Sequence, residues 1–306
     1  MGLICMITPA YLKPGDTIAI VCPAGYLPAA KVQTCVTVLN QWGYKVILGT
    51  TVGGGSSTYF SGTDQERLTD FQRMLDDATV QAILCGRGGY GTGRIIEQID
   101  FTHFLKQPKW IIGYSDITVL HAHIHQLHQV VTLHAPMATA FNAEGWRNEY
   151  VQSLREALEG VTSACSGPEH VLNRVGFARA PLVGGNLALL AHLVGTSSDL
   201  DTRGKILFIE DVGEQLYNID RMIYQYKRSG KLAHLAGLIV GGFTESKDTD
   251  RPFGATAYQI IHEAVKEYTY PVCFDFPVSH TERNYALKVG ATYELRVDAT
   301  GSLLAE

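Results

Sequence analysis

Residues 110–118 read WIIGYSDIT, and this stretch decides the fold class. A short strand, apolar on both faces, ends at Gly113, and a helical pattern follows at about residues 119–127. Strands of this kind that alternate with helices are typical of a parallel sheet covered by helices on both sides. Ligands of such sheets bind at the carboxyl ends of the strands. The residues that directly follow each strand are therefore the first place to look for a functional site.

The same alternation of strands and helices extends outward from this stretch. Upstream lie three apolar strands, at residues 17–22, 44–48 and 82–85, and three helices, at 29–42, 63–76 and about 93–98. They predict an N-terminal doubly wound parallel-sheet domain over residues 1–162. A polar, turn-rich stretch predicts a linker at 163–180. Four further strands and two helices predict a smaller C-terminal α/β domain, rich in strands, over residues 181–306.

The composition is that of an ordinary globular protein. Of the 306 residues, 46% are hydrophobic and 18% are charged, which argues against disorder. The net charge of -5, without a cluster of Lys or Arg, gives no reason to expect binding to nucleic acid or to an anionic membrane. The apolar N-terminal run is short, and no run approaches the roughly 18 residues that span a bilayer. We therefore expect a soluble, cytoplasmic protein.

The six cysteines are scattered and include no C-x-x-C pair. Three of them lie in apolar, strand-like runs: Cys22, Cys85 and Cys273. This pattern favours reduced cysteines in the core over a disulfide framework or a zinc site.

Ser115 follows the strand that ends at Gly113 and directly precedes a helix. A strand ending in Gly-x-Ser that passes straight into a helix is the arrangement of a nucleophile elbow, whose tight turn exposes the serine oxygen at the edge of the sheet. The amide of the next residue, Asp116, then points into the same space and can donate to an oxyanion. Ile117 stands where a second glycine is expected. The alternative that Ser115 caps the helix with its hydroxyl therefore stays open.

A glycine-rich segment follows another strand, with the sequence CGRGGYGTG at residues 85–93. It satisfies the pattern G-x-G-x-x-G, which can bind a pyrophosphate on backbone amides. Against a dinucleotide site, the segment is not in the first strand–helix unit, and no acidic residue ends a strand about 20 residues later. The same amides can form part of an oxyanion hole or contact a substrate. These alternatives, and that of a purely structural turn, stay open.

A nucleophilic serine needs a base, and 11 histidines are available. His121, His125 and His128 share one face of the helix after Ser115. Without a carboxylate at ligand spacing, this face favours surface or interface histidines over a metal site. His280 differs, since it lies in a loop that leaves an apolar strand, where it can face a cleft.

The base needs an acid that orients it. Glu210 and Asp211 end a buried strand, and a charge at such a position is costly unless it is paired. A salt bridge or a place at a helix N-terminus is the alternative to a catalytic role for Glu210.

Seven segments, in order and at compatible spacing, resemble those of the murein LD-carboxypeptidase family, which are serine peptidases that act on peptidoglycan fragments. The segments are PGD at 14–16, RGGYG at 87–91, GYSD at 113–116, GGNL at 184–187, IED at 209–211, IDR at 219–221 and PVSH at 277–280.

The resemblance implies a catalytic triad of Ser115, His280 and Glu210, with the serine in the N-terminal domain and the other two in the C-terminal domain. It also implies an oxyanion hole formed by the backbone amides of Gly89 and Asp116. The implied substrate is a small murein tetrapeptide that loses its terminal D-alanine during cell-wall recycling. No cofactor or metal is implied, and a homodimer is expected.

An exopeptidase must also bind the terminal carboxylate of its substrate, for which a cation or amides are suited. Arg87 and Arg283 flank the implied site in sequence, and either can serve. The motifs add Tyr114 and Asn186 as further substrate-binding candidates.

Two other functions compete with this one. Within the same family, microcin C self-immunity peptidases cleave a peptidyl or aminoacyl nucleotide amide. From a different class, a non-catalytic protein would bind a phosphate or nucleotide at residues 86–93 and use Ser115 as a helix cap.

Overall fold

The structure is a computed structural model that describes residues 6–142 and 144–306, so that Cys5 lies outside the described residues. The chain divides into two compact units. The N-terminal unit extends to Val161 and includes Tyr285–Lys288, and the C-terminal unit comprises Thr162–Asn284 and Val289–Glu306. Both are α/β structures, which confirms the predicted class.

The N-terminal unit contains a sheet of parallel strands. In chain order, its first five strands are β1 (Thr17–Val21), β2 (Lys45–Leu48), β3 (Val80–Cys85), β4 (Trp110–Gly113) and β5 (Thr132–His134). Their order in the sheet is β5-β4-β3-β1-β2, and all neighbours among them are parallel. The side chains of β1 and β4 are buried along their whole length, as expected for strands covered on both faces.

In the described part of this unit, five α-helices accompany these strands: α1 (Gln33–Gln41), α2 (Asp64–Asp76), α3 (Thr102–Lys106), α4 (Thr118–His123) and α5 (Glu149–Glu159). Helix α2 begins at a capping box. The Thr63 hydroxyl accepts a hydrogen bond from the Glu66 amide, and the Glu66 carboxylate accepts one from the Thr63 amide. These bonds satisfy backbone groups at the start of α2, whose inner face buries Arg67, Phe71 and Leu75.

The C-terminal unit contains a mixed sheet of seven strands. Its elements begin with β6 (Ala164–Gly167), β7 (Gly176–Asn186), α6 (Leu187–His192), β8 (Ile206–Val212), α7 (Leu216–Arg228), β9 (Gly237–Thr244), α8 (Ala257–Val265) and β10 (Val272–Cys273). The chain then returns to the N-terminal sheet with β11 (Leu287–Val289), which lies beside β5. It finishes in the C-terminal unit with β12 (Thr292–Asp298) and β13 (Gly301–Ala305).

The order of strands in this sheet is β10-β9-β8-β7-β12-β13-β6. The first four are parallel, and the pairs from β7 to β6 are antiparallel. Glu210 lies near the carboxyl end of β8, the third strand in this order.

Several local features differ from the sequence prediction. Residues 164–167 of the predicted linker form β6, which pairs with β13, and the last part of the linker lies in β7. The helix expected after Gly93 is replaced by two short 3-10 turns at Thr92–Arg94 and Ile96–Gln98. The helix after Ser115 divides into α4 and a π-helical turn at Ile124–His128.

Five cysteines lie within the described residues, and all are buried and not in disulfides, which confirms the sequence interpretation for them: Cys22, Cys35, Cys85, Cys165 and Cys273. None of the described helices has the length and apolar character of a membrane span.

Candidate active site

Ser115 lies at the carboxyl end of β4 in a strained backbone conformation. Its φ angle of 64° is in the left-handed region, which is unfavourable for a residue with a Cβ. Gly113 has a φ of 155°, and a Cβ there would lie 2.9 Å from Ile117 Cγ1. A tight turn therefore leads from β4 through Ser115 into α4. Neither this turn nor α4 uses the Ser115 hydroxyl as a cap, so the helix-cap alternative is not supported.

The glycine loop, residues 86–93 after β3, packs directly against Ser115. A Cβ at Gly88 would lie 2.9 Å from the Cβ of Ser115 and 3.3 Å from the amide nitrogen of Asp116. Only glycine permits this close approach. The next residue, Gly89, has a φ of 96°, and a Cβ there would lie 2.7 Å from the hydroxyl of Tyr59. Gly89 is a predicted site residue, whereas the contact of Gly88 with the serine has no signal in the sequence.

Asp116 has a second role that the sequence did not reveal. Its carboxylate is fully buried and accepts a hydrogen bond of 2.8 Å from the amide of Thr92, at the end of the glycine loop. Burial raises the pKa of Asp116, while hydrogen bonds from Thr92 and Gly91 and the charge of Arg67 partly offset this effect. Asp116 thus joins the turn after β4 to the loop after β3.

Two further predicted residues lie near this turn. Arg87 is exposed in the glycine loop and donates a hydrogen bond of 2.7 Å to the carbonyl oxygen of Tyr26, in the segment after β1. The ring of Tyr114 is half-buried and lies 5.9 Å, between centroids, from the ring of His134 at the end of β5. Both side chains therefore belong to the carboxyl edge of the N-terminal sheet.

In the C-terminal unit, Glu210 and His280 form a short hydrogen bond. His280 Nδ1 lies 2.6 Å from Glu210 Oε2, and the Glu210 side chain is completely buried. Because an ionised carboxylate only accepts hydrogen bonds, the proton lies on Nδ1. In the neutral ring Nε2 is then the nitrogen that can accept a proton, as required of a general base.

The electrostatics of His280 also suit a base. Burial alone would lower the pKa of His280, but the hydrogen bond and the charge of Glu210 outweigh it, with smaller contributions from Asp211 and Glu245. The net pKa of His280 is therefore raised above its ordinary value of 6.5.

A bulge in β9 brings the histidine loop, residues 276–280, close to Glu210. The register between β8 and β9 shifts opposite Glu210, where two glycines stand in β9. A Cβ at Gly241 would lie 2.2 Å from the carbonyl oxygen of Val278, and one at Gly242 would lie 2.6 Å from Ser279 Cβ. The amide of Gly242 donates to the same Val278 carbonyl at 2.9 Å. The two glycines therefore provide the space in which the loop docks.

Asn186 is the strand partner of Glu210 in the β7–β8 ladder. Its side chain accepts a hydrogen bond from the amide of Leu189, which caps α6, and donates one of 2.8 Å to Asp211. Burial raises the pKa of Asp211 to about 6. These bonds give Asn186 a structural role in addition to the substrate-binding role proposed from sequence.

Arg283, the other candidate for the substrate carboxylate, is exposed three residues after His280. It interacts with the side chain of Asp275 at 3.3 Å and with the backbone carbonyl of the same residue at 3.4 Å.

The prediction of surface histidines after Ser115 is wrong. His121 is fully buried, and His123 and His125 are nearly so. His121 Nε2 lies 2.8 Å from the carbonyl oxygen of Gly113, and Nδ1 lies 2.8 Å from the Thr132 hydroxyl. The ring is tolerated in the core because both nitrogens are hydrogen-bonded. Since its partners lie on β4 and β5, periodicity alone could not identify this role.

The structure thus groups the predicted residues at two places. Five of them lie at the carboxyl edge of the N-terminal sheet: Ser115, Asp116, Gly89, Arg87 and Tyr114. The C-terminal unit contains the remaining four: Asn186, Glu210, His280 and Arg283. Sequence reasoning missed Arg67 and the bulge at residues 241–242. A pair of glycines inside a strand pattern is a signal that could have indicated the bulge.

Comparison with known proteins identifies two family domains in the chain. The profile of the LD-carboxypeptidase N-terminal domain matches residues 18–135, and that of the LD-carboxypeptidase C-terminal domain matches residues 179–295. A relative from Bacillus subtilis (strain 168), named "Probable murein peptide carboxypeptidase", is 37% identical over 288 residues, which cover 92% of this chain and 89% of the relative.

Two solved structures share the fold over nearly the whole chain. Muramoyltetrapeptide carboxypeptidase from Oxalobacter formigenes has a TM-score of 0.86 at 28% identity, over 95% of this chain and 98% of that protein. The protein MccF, in complex with glutamyl sulfamoyl guanosine, has a TM-score of 0.85 at 22% identity, over 97% and 98% of the two chains. The second likeness shows the fold alone. With both domain profiles matched, this chain belongs to the LD-carboxypeptidase family.

Proposed function

We propose that this chain is a serine carboxypeptidase that hydrolyses an L,D-peptide bond and releases the terminal D-alanine of a murein tetrapeptide. The observation that carries the proposal is the 2.6 Å hydrogen bond between His280 and the buried Glu210. An imidazole held by a carboxylate is the base that a serine nucleophile requires. The strained backbone of Ser115, at the carboxyl end of β4, is typical of such a nucleophile.

In the proposed mechanism, these three residues act as a triad. His280 Nε2 removes the proton of the Ser115 hydroxyl as the serine oxygen attacks the carbonyl carbon of the L,D-peptide bond. Glu210 holds the ring in the required tautomer and stabilises the imidazolium. His280 then protonates the leaving nitrogen of D-alanine as the C–N bond breaks. A water molecule, deprotonated by His280, finally hydrolyses the acyl-enzyme and regenerates the serine.

Backbone amides would stabilise the oxyanion of each tetrahedral intermediate. We assign this role to the amides of Gly89 and Asp116, which flank the contact between Gly88 and Ser115. Each such donor is worth roughly 3 to 4 kcal/mol of transition-state stabilisation.

Arg87 or Arg283 is the proposed partner of the terminal carboxylate of the substrate, with Tyr114 and Asn186 as further contacts. Both arginines already bond neighbouring groups and are exposed, which leaves their guanidinium groups accessible to a substrate. We expect Arg87→Met or Arg283→Met to raise KM with little change in kcat. A double variant that kept the full kcat/KM would remove the arginines from this role.

A panel of substrates tests the reaction itself. We would incubate the protein with a murein tetrapeptide that ends in D-alanine, with the same peptide ending in L-alanine, and with an aminoacyl sulfamoyl adenosine. Release of alanine from the first peptide alone supports the proposal. Cleavage of the nucleotide analogue alone would instead establish the self-immunity type of activity.

The domain assignments belong to the same proposal. Residues 1–162 would carry the nucleophile and residues 181–306 the acid and the base, in a cytoplasmic homodimer that takes part in peptidoglycan recycling. Light scattering on the purified protein tests the dimer, since a monomeric mass would contradict it.

A further inference from the structure

A buried arginine and a buried aspartate bind the two ends of one peptide group. Arg67 Nη1 donates to the carbonyl oxygen of Gly91 at 2.9 Å, and the amide of Thr92 donates to Asp116 Oδ2 at 2.8 Å. That carbonyl and that amide belong to the same peptide bond. Both charged side chains are fully buried.

The charges match the polarity of this peptide. The positive guanidinium lies at the oxygen and the negative carboxylate at the N–H, so both charges stabilise the same orientation of the peptide dipole. Charge-assisted hydrogen bonds are roughly twice as strong as neutral ones. Turning the peptide plane would break both bonds at once and remove a hydrogen-bonding partner from each of two buried charges, which is unfavourable.

Arg67 is itself held in place by other contacts. Its guanidinium also donates to the carbonyl of Pro23, in the segment after β1, and pairs with Asp64. Asp64 is in turn bound by Arg94 at 2.6 Å. Through Arg67 and Asp116, the segments that follow β1, β3 and β4 are therefore linked, and these strands are neighbours in the sheet.

The glycine loop needs such an anchor. Four of its residues are glycines that come before Thr92, and glycine gives the backbone access to many conformations. Gly91 has a φ of 145°, and a Cβ there would lie 2.8 Å from Arg67 Nη1. Oxyanion donors contribute most when their orientation is fixed before the reaction.

We propose that Arg67 and Asp116 clamp the Gly91–Thr92 peptide and thereby hold the glycine loop in the orientation in which its amides face the reacting carbonyl. The inference rests on the proposed function. Arg67 is a positioning residue, and Asp116 combines two roles, because its backbone amide is a proposed oxyanion donor while its carboxylate positions the loop that carries the other donor.

Two pairs of variants test the clamp. Arg67→Met and Asp116→Ala each remove one end, whereas Arg67→Lys and Asp116→Asn retain a hydrogen-bonding group at the same position. The matched control is Arg73→Met, on the same helix α2, where the side chain is half-exposed and pairs with Asp70. For each we would measure kcat and KM with murein tetrapeptide, and the hydrogen exchange of amides in residues 86–94.

We expect Arg67→Met and Asp116→Ala to lower kcat by about 100-fold, the effect of losing one oxyanion donor, with KM changed less than about threefold. Loop amides should exchange at least about tenfold faster, as expected when a protecting hydrogen bond is lost. The conservative variants should show smaller effects on both measurements, and Arg73→Met should show none.

Folded variants with unchanged exchange, or with kcat within about threefold of the wild type, would overturn the proposal. If Arg67→Met does not fold, Asp116→Ala decides by the same criteria. If neither folds, loop amides of Arg67→Lys and Asp116→Asn that exchange no faster than those of Arg73→Met would overturn the proposal. A wild type that releases no D-alanine would refute the proposed function instead, and the exchange data alone would then decide whether the clamp exists.

Discussion

The Nδ1 atom of His280 lies 2.6 Å from the Oε2 atom of Glu210, although 70 residues separate the two in the chain. The bond depends on a local feature of the sheet, because the glycines of the β9 bulge let the histidine loop approach β8. The buried carboxylate of Glu210 therefore holds Nδ1 of His280, while Nε2 lies on the opposite side of the ring, away from the carboxylate.

Replacing Glu210 by Gln should nearly abolish catalysis. A glutamine amide can donate a hydrogen bond to Nδ1 of His280 and thereby stabilise the tautomer in which the ring proton lies on Nε2. In that tautomer Nε2 cannot accept the serine proton, so His280 cannot act as the base. The analogous change in serine proteases lowers kcat by about 10⁴, and we expect a loss of roughly that size in steady-state assays. An activity within about tenfold of wild type would contradict the role of Glu210.

The pH profile provides a second test of the same pair. The base must be neutral, so kcat/KM should fall as pH drops through the pKa of His280, which Glu210 holds above 6.5. Glu210→Gln removes the charge that raises the pKa of His280. The residual kcat/KM of this variant should therefore fall on the acid side at lower pH than that of the wild type. Glu245→Gln is the matched control, since Glu245 raises the same pKa by its charge alone. It should shift the acid side of the profile slightly and leave kcat unchanged.

The strained backbone at Ser115 should lower the stability of the protein, although the serine side chain is required for activity. Ser115→Gly and Ser115→Ala should both be inactive, but glycine removes the cost of a φ of 64° whereas alanine retains it. We expect the glycine variant to be more stable than the alanine variant by about 1 kcal/mol. Urea denaturation measures the difference, and equal stability of the two variants would show that the turn stores no strain.

The bulge glycine Gly241 should be required for the position of His280. A Cβ there would lie 2.2 Å from the Val278 carbonyl, so Gly241→Ala must displace the histidine loop. We expect kcat to fall by at least about 100-fold, as for other misplaced catalytic groups. Gly55→Ala is the control, because Gly55 is exposed and a Cβ there meets no atom within 4 Å. Near-normal activity of folded Gly241→Ala would refute this role of the bulge.

Because His121 is buried, we expect the free energy of unfolding of the protein to decrease in mild acid. Burial lowers the pKa of His121 to about 4, whereas the ordinary value is 6.5. Between these values the unfolded chain binds more protons, so stability should decrease as pH falls from 6.5 toward 4. The difference corresponds to roughly 3 kcal/mol at most. His121→Gln should show a weaker pH dependence in urea denaturation at pH values between about 4.5 and 7, and an unchanged slope would contradict the assignment.

The sequence was sufficient to predict the α/β class and the location of the principal candidates. Strands β4 and β8 are apolar on both faces, and the rule that parallel sheets bind ligands at strand ends selected Ser115 and Glu210. Local patterns are enough to find these two residues. The pairing of Glu210 with His280 followed from the family resemblance, because no local pattern relates residues 70 positions apart.

The remaining features depend on tertiary contacts. Strands β5 and β10 contain three and two residues, too few for a periodic pattern. The buried positions of Arg67 and His121 depend on carbonyl groups contributed by other segments, at Gly91 and Gly113. Since charged and polar residues are usually exposed, sequence patterns assign them to the surface unless their partners are known.

The most direct test of the central claim is mass spectrometry of a murein tetrapeptide after incubation with wild-type protein and with Ser115→Ala. We predict that the wild type converts the tetrapeptide to the tripeptide by loss of one D-alanine, and that Ser115→Ala leaves it intact. Conversion by Ser115→Ala at the wild-type rate would contradict the assignment of Ser115 as the nucleophile.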